Sequence, residues 1–283
     1  METKELRESH IIPNFIGKWI KETSATGFLR SALNPNRRAQ DLAKLYLLCG
    51  ECEELFSINE KRFAENVFIP FQNGQKRFDY DEWLLKFFIS INWRVGILEV
   101  RDPKNGMPEN LMDELVKCLE IWREYLLGRS KETGGYKHHI FFLDTLESVG
   151  SEVTILEYTN AYLLRTTDAT VANNTSNAFI YAKLPGIIMV SHIHPKDLKG
   201  WESTKIYRRG TVKIPQVCAV PGFGDFLNHR IEATNTFVAQ MSDNQQQKIL
   251  DTAMKDLDRL ENSKSLEVVI ADHLLKEKYQ KNT

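Results

Sequence analysis

The spacing of apolar residues changes twice along this chain, and the change restricts the folds open to it. Between residues 79 and 127, apolar side chains recur every three or four positions, as on one face of an amphipathic helix. Between 137 and 216 they form short runs, such as 178–182 and 187–190, separated by turn residues. Helical spacing returns from residue 223. The sequence therefore predicts an α+β fold.

The same pattern predicts individual elements. We expect helices over 14–21, over 53–68 with Pro70 ending the helix, over 79–100 and 108–127, and in three stretches after 223. The run 45–48 predicts a short strand that leads into Cys49. Further strands are expected at 139–143, 153–156, 178–182, 187–190 and 211–214. Residues 23–44, with several Asn, Pro and Gly residues, are expected to form an irregular connection.

Charge restricts the classes of partner. The chain has 37 basic and 38 acidic residues, so nucleic acid would have to be bound by a local patch. Arg37-Arg38 and Tyr207-Arg208-Arg209 are the candidates, with solvated surface as the alternative. The N-terminal residues lack the apolar segment of a secretory signal, and no apolar run reaches the ~20 residues of a membrane span. We expect a cytoplasmic protein with no membrane partner.

Cys49-Gly50-Glu51-Cys52 is the motif that carries chemistry. A Cys-x-x-Cys pair is a zinc knuckle, a redox pair or a coincidence. Redox pairs follow a strand and begin a helix within a βαβ unit, which this sequence does not indicate. Gly50 suits the tight turn of a knuckle, but the pair supplies two of the four ligands of a structural zinc. Cys118 and Cys218 are expected to be buried as small apolar residues.

Upstream of this pair lies Ser9-His10-Ile11-Ile12-Pro13. Together with Leu47-Leu48 before Cys49, this motif resembles the HNH endonuclease family in its zinc-knuckle form, over about the first 65 residues. The resemblance implies a treble-clef ββα module that binds structural zinc and a catalytic Mg²⁺ or Mn²⁺ and hydrolyses DNA phosphodiester bonds. It extends to poorly characterised bacterial HNH-like proteins of defence or mobile-element settings.

The resemblance also implies roles for individual residues. His10 matches the general base, for which a neutral imidazole is suited near pH 7. Cys49 and Cys52 match the second zinc-binding Cys pair, and Asn36 matches the middle Asn. Glu53 stands where many members have a metal-binding His, and its carboxylate suits Mg²⁺ or Mn²⁺.

Two departures keep other interpretations open. The first Cys pair of the family is absent from this sequence, and Ser9 replaces a metal-binding Asp or His. A hydroxyl is a poor ligand for a hard cation. The alternative is therefore a catalytically inactive module that binds nucleic acid or protein. A separate interpretation makes His10 an ordinary surface or capping histidine next to a helix start. A third hypothesis places the function in the β-rich region, and an oligomer is also open.

The remaining histidines give weaker signals. His192 and His194 alternate on a strand and could share a metal, but ordinary hydrogen bonds are the favoured interpretation. His138-His139 is not followed by a suitable ligand pair. No nucleotide-binding, hydrolase or kinase motif is found, so the sequence indicates no organic cofactor.

The motifs and the spacing together divide the chain into three segments. Residues 1–75 are expected to form the HNH-like zinc-knuckle module, 76–135 a helical segment, and 136–283 a β-rich region with C-terminal helices, of unknown role.

Overall fold

The computed structural model describes residues 5–31, 34–103, 106–148 and 155–282. It confirms a mixed α+β fold. The strands are β1 (Leu6–His10), β2 (Leu29–Ser31), β3 (Asn34–Ala39), β4 (Lys44–Cys49), β5 (Arg77–Tyr80), β6 (His138–Phe142), β7 (Asp168–Asn173), β8 (Ala178–Leu184), β9 (Ile187–His194) and β10 (Gly210–Lys213). The helices are α1 (Asn14–Glu22), α2 (Gly50–Phe63), α3 (Ile69–Gln72), α4 (Glu82–Arg101), α5 (Glu109–Leu126), α6 (Thr159–Arg165), α7 (Phe223–Ala239), α8 (Asp243–Met254), α9 (Leu257–Glu261) and α10 (Lys264–Asn282).

Two strands and a helix build the N-terminal part. β1 pairs antiparallel with β4, in a register that sets His10 opposite Lys44 and Leu6 opposite Cys49. α2 begins at the residue after β4. Helix α1 and the β2–β3 pair lie between the two strands in the chain.

The expectation of an irregular connection over 23–44 is wrong, because β2 and β3 form an antiparallel pair there. β3 has the sequence Asn-Pro-Asn-Arg-Arg-Ala and is mostly exposed. A strand exposed on most of its length needs no alternation of apolar and polar residues, so the usual signal is missing.

Pro70 does not end the helical segment. After α2 the chain makes one π-helical turn, Ala64–Phe68, and then α3, which carries Pro70 in its first turn. A proline is tolerated there because the first amides of a helix have no intrahelical acceptor.

A four-stranded antiparallel sheet in the order β6-β9-β8-β7 forms the centre of the molecule. His138 of β6 and Ser191 of β9 face α4 and α5, with Phe88 and Trp122 against the His138 ring. The opposite face packs against Trp201, Phe223 and α7. The strand expected at 153–156 is wrong for residues 155 and 156, and 153–154 lie outside the described ranges. α6 follows instead.

One hydrophobic core joins the three sequence segments. It includes Ile16 and Phe63 from the first, Phe87 and Trp122 from the second, and Ile180 from the third, each fully buried. β5 also pairs with β10, across the same segments. No helix among the described residues is both long and apolar enough to cross a membrane.

Candidate functional site at His10

The backbone of His10 is fixed by a buried arginine. Arg94, on α4, donates from Nη1 to the His10 carbonyl oxygen at 2.7 Å and from Nη2 to a Glu60 carboxylate oxygen at 2.5 Å. The Arg94 side chain is 3% exposed, so both bonds lie largely away from water. Charge-assisted bonds of this kind are short and directional. They hold the end of β1 between α2 and α4.

The ring of His10 is oriented by a carboxylate. Its Nε2 lies 3.0 Å from Oδ1 of Asp41, while Oδ2 of Asp41 lies 2.6 Å from Nζ of Lys44. Burial alone would raise the pKa of Asp41, but hydrogen bonds from Lys44, His10 and the Leu42 amide outweigh it and lower that pKa to about 2. Asp41 is therefore ionised near pH 7 and accepts a hydrogen bond from Nε2–H of His10. The lone pair of the neutral ring is then on Nδ1.

This arrangement suits a general base. A carboxylate that accepts from one ring nitrogen makes the other the proton acceptor and stabilises the imidazolium that forms. The His10 side chain is 17% exposed, so part of it lies at the surface.

Asp41, Lys44 and Arg94 are site residues that the sequence analysis missed. Asp41 and Lys44 lie in the stretch interpreted as an irregular connection, 31 or more residues from His10. Lys44 stands opposite His10 in the β1–β4 register, so a correct strand pairing would have placed it there. Arg94 lies on a buried face of α4, where an arginine inside an apolar helix was the available signal.

Ser9 has a structural role. Its side chain is fully buried, donates to the Arg7 carbonyl oxygen at 3.2 Å and accepts from the Leu48 amide at 3.1 Å. These bonds fall at the irregularity in the β1–β4 register between Arg7 and Glu8. The hydroxyl is committed to holding the two strands together.

The Cys pair lies where a strand passes into a helix. Cys49 ends β4 and is the N-cap of α2, and Cys52 is in the first helical turn. The strand-then-helix context that the sequence did not indicate is thus present, although β1 and β4 run antiparallel and form no βαβ unit. Both cysteines line a cavity of about 680 Å³ beside Trp93 and Arg123.

The ligand sets implied by the resemblance are incomplete. Across the ranges that the structure describes, no group of three or more His, Cys, Asp or Glu side chains is placed to hold a metal ion. Cys49 and Cys52 supply two of the four ligands that structural zinc requires. Oε1 of Glu53 is buried without a hydrogen-bond partner and is free to accept, but one carboxylate is short of a Mg²⁺ or Mn²⁺ set. The residues present therefore do not fit either metal fully.

Asn36 takes part in a different contact. Its Nδ2 donates to the Gln240 carbonyl oxygen at 3.2 Å, and its Oδ1 accepts from the Ser242 amide at 2.9 Å. Asn36 thus joins β3 to the link between α7 and α8. The hydrogen bonds of Asn36 and His10 share no residue, so Asn36 takes no part in the Asp41–His10 hydrogen bond.

Three further histidines are buried on the central sheet. Burial is the main reason that the pKa falls to about 3 for His138, about 3 for His139 and about 4 for His192, so all three are neutral near pH 7. Nδ1 of His138 lies 2.8 Å from Oγ of Ser191. The Nε2 atoms of all three histidines are buried without a hydrogen-bond partner. Nε2 of His192 therefore does not make the ordinary hydrogen bond that was expected for this residue.

His194 is exposed and lies outside this buried group. Of the two remaining cysteines, Cys118 is buried as expected. The expectation for Cys218 is wrong, because this cysteine is exposed in the connection that follows β10.

Comparison of the chain with protein-family models, with curated proteins and with solved structures gave no match.

Proposed function

We propose that this chain is an HNH-like endonuclease that hydrolyses DNA phosphodiester bonds, with His10 as general base. The observation that carries the proposal is the Asp41–His10 pair at the end of a strand whose partner leads directly into a helix. A strand–strand–helix unit with a histidine on its first strand is the arrangement that the sequence resemblance implies.

His10, Asp41 and Lys44 each have a separate role in the proposed hydrolysis. Asp41 holds the His10 ring with its lone pair on Nδ1 and stabilises the charged ring after proton transfer. Nδ1 removes a proton from the attacking water. Lys44 keeps Asp41 ionised and adds positive charge near the phosphate. Zinc at Cys49 and Cys52, and Mg²⁺ or Mn²⁺ at Glu53, stay predictions, and no step above depends on them.

A plasmid-nicking assay with Mg²⁺ or Mn²⁺ tests the base. We expect His10→Ala to lower the cutting rate about 10²- to 10⁴-fold, the usual contribution of a general base. Asp41→Asn should also lower it, because an amide does not fix the same ring tautomer. His273→Ala is the matched control, since His273 is exposed on α10 and pairs with Glu277. Equal cutting by His10→Ala and the wild type would end the catalytic role of His10.

A second candidate has its own support. Ser9 stands where members of the family have a metal ligand. Its hydroxyl is used in structural hydrogen bonds with Arg7 and Leu48. This favours a catalytically inactive module that binds nucleic acid or protein. Such a protein would bind DNA or a protein partner and give no nicking with either metal, and His10→Ala would leave that binding unchanged.

A further inference from the structure

The β2–β3 pair carries three arginines. Arg30 of β2 stands directly opposite Arg38 of β3, and Arg37 precedes Arg38. Like charges directly opposite in a sheet are destabilising. Burial and the charge of Arg38 both lower the pKa of Arg30. Within the described residues, no ion pair includes any of the three arginines.

The contacts that these side chains do make leave their charge uncompensated. Arg38 lies over the Phe28 ring, 4.1 Å from its centroid, and donates to Thr252 Oγ1 at 3.1 Å. Arg30 donates to the Pro35 carbonyl oxygen at 3.0 Å. All these partners are neutral, and both Arg37 and Arg38 are exposed. The positive charge is therefore available to an anion.

Arg38 is close along the chain to Asp41, the hydrogen-bond partner of His10. Three peptide units separate Arg38 from Asp41, so their Cα atoms are at most about 11 Å apart. The link between them is held by Lys21, whose Nζ donates to the Gln40 carbonyl oxygen at 2.9 Å. Lys44, paired with Asp41, adds a further cation beside the Asp41–His10 pair.

We propose that this basic hairpin, Leu29–Ser31 with Asn34–Ala39, binds the backbone phosphates of duplex DNA beside the Asp41–His10 pair. The inference rests on the proposed function for the position of the scissile phosphate, but the contact itself does not require cleavage. Because the whole chain has net charge −1, attraction to DNA must come from a local concentration of arginines such as this one.

The test is the salt dependence of DNA binding, measured by fluorescence anisotropy with a short labelled duplex in EDTA, between about 50 and 200 mM salt. The slope of log K against log salt is negative, and each lost phosphate contact reduces its magnitude by about 1. We expect this decrease for Arg37→Gln and a decrease of about 2 for Arg37→Gln with Arg38→Gln. Arg37→Lys should keep the wild-type slope, because it keeps the charge.

Arg209→Gln is the matched control, an exposed arginine in the second basic cluster of the sequence. Its slope should equal that of the wild type. An unchanged slope in both hairpin variants, or a loss confined to Arg209→Gln, overturns the proposal. Since Arg38 also contacts Phe28 and Thr252, Arg37→Gln carries the test if the double variant folds poorly.

The two proposals fail separately. His10→Ala should bind the duplex with the wild-type slope while losing nicking. Wild-type nicking by His10→Ala, together with a reduced slope in Arg37→Gln, removes the catalytic role and leaves the hairpin as the DNA contact. Loss of nicking in His10→Ala with unchanged slopes in the arginine variants removes the hairpin and leaves the catalytic role.

Discussion

Lys183 is a cation enclosed in the protein. It lies on β8 with no exposed surface, and its Nζ donates to the Thr166 carbonyl oxygen at 2.8 Å and to Thr166 Oγ1 at 3.2 Å. Burial lowers the pKa of Lys183 to about 7, which the nearby Asp168 only partly offsets. Two neutral acceptors can satisfy the hydrogen bonds of a neutral amine, but they do not compensate the charge of a buried ammonium group. Folding at neutral pH therefore favours loss of this proton.

The lowered pKa of Lys183 makes the free energy of unfolding depend on pH. Between about pH 7 and the ordinary lysine pKa, the unfolded chain carries this proton and the folded protein does not. We expect the free energy of unfolding to rise from pH 7 to pH 9, by up to ~1.4 kcal/mol per pH unit from this group. Lys183→Met should remove that contribution to the slope. Urea unfolding at both pH values measures it, and an equal rise in the variant would contradict the assignment to Lys183.

At the scale of elements, Gly96 allows α4 to approach its neighbours closely. A Cβ at this position would lie 2.7 Å from Leu119 Cδ2 on α5 and 3.1 Å from Ile180 Cδ1 on the central sheet. α4 thus packs on both through a glycine, although glycine weakens a helix interior by roughly 0.5–1 kcal/mol relative to alanine. The close packing outweighs helix propensity at this position.

Gly96→Ala should therefore destabilise the protein by about 1–3 kcal/mol, the usual cost of overpacking a core. Gly224→Ala in α7 is the matched control, because no atom lies within 4 Å of the Cβ it would add. We expect that change to be neutral or stabilising. Thermal unfolding of both variants checks the pair, and a stabilised Gly96→Ala would show that α4 and α5 have room to separate.

Elements with strong apolar periodicity were predictable from the sequence, and those without it were not. α1, α4 and α5 lie close to their expected bounds because each buries a stripe of large side chains. β2 was missed because it has three residues, β3 because it is mostly exposed, and α6 because it has seven residues. The site followed the same rule: His10 was found through its motif, whereas Asp41 reaches it through a pairing of β1 and β4 that residue spacing does not specify.

At the scale of the whole molecule, hydrogen bonds link parts of the chain that are far apart in sequence. Arg259 of α9 donates to the Ser24 and Lys21 carbonyl oxygens at 2.9 Å each, at the end of α1. Asp272 of α10 accepts from the Asn160 and Ala161 amides at the start of α6. Carbonyl and amide groups at helix ends lack partners within their own helix. The C-terminal helices supply those partners to elements from the first and third sequence segments.

These long-range hydrogen bonds and the shared core predict how the protein unfolds. Phe63 of α2 stacks on Phe87 of α4, with ring centroids 3.9 Å apart, so the N-terminal segment buries this ring against the next segment. Residues 1–75 alone would expose that surface, and we expect this fragment not to fold. In the full chain, tryptophan fluorescence and far-UV circular dichroism should show one urea transition with coincident midpoints. Two separated midpoints, or a fragment 1–75 with dispersed amide resonances, would show instead that the module is stable without α4.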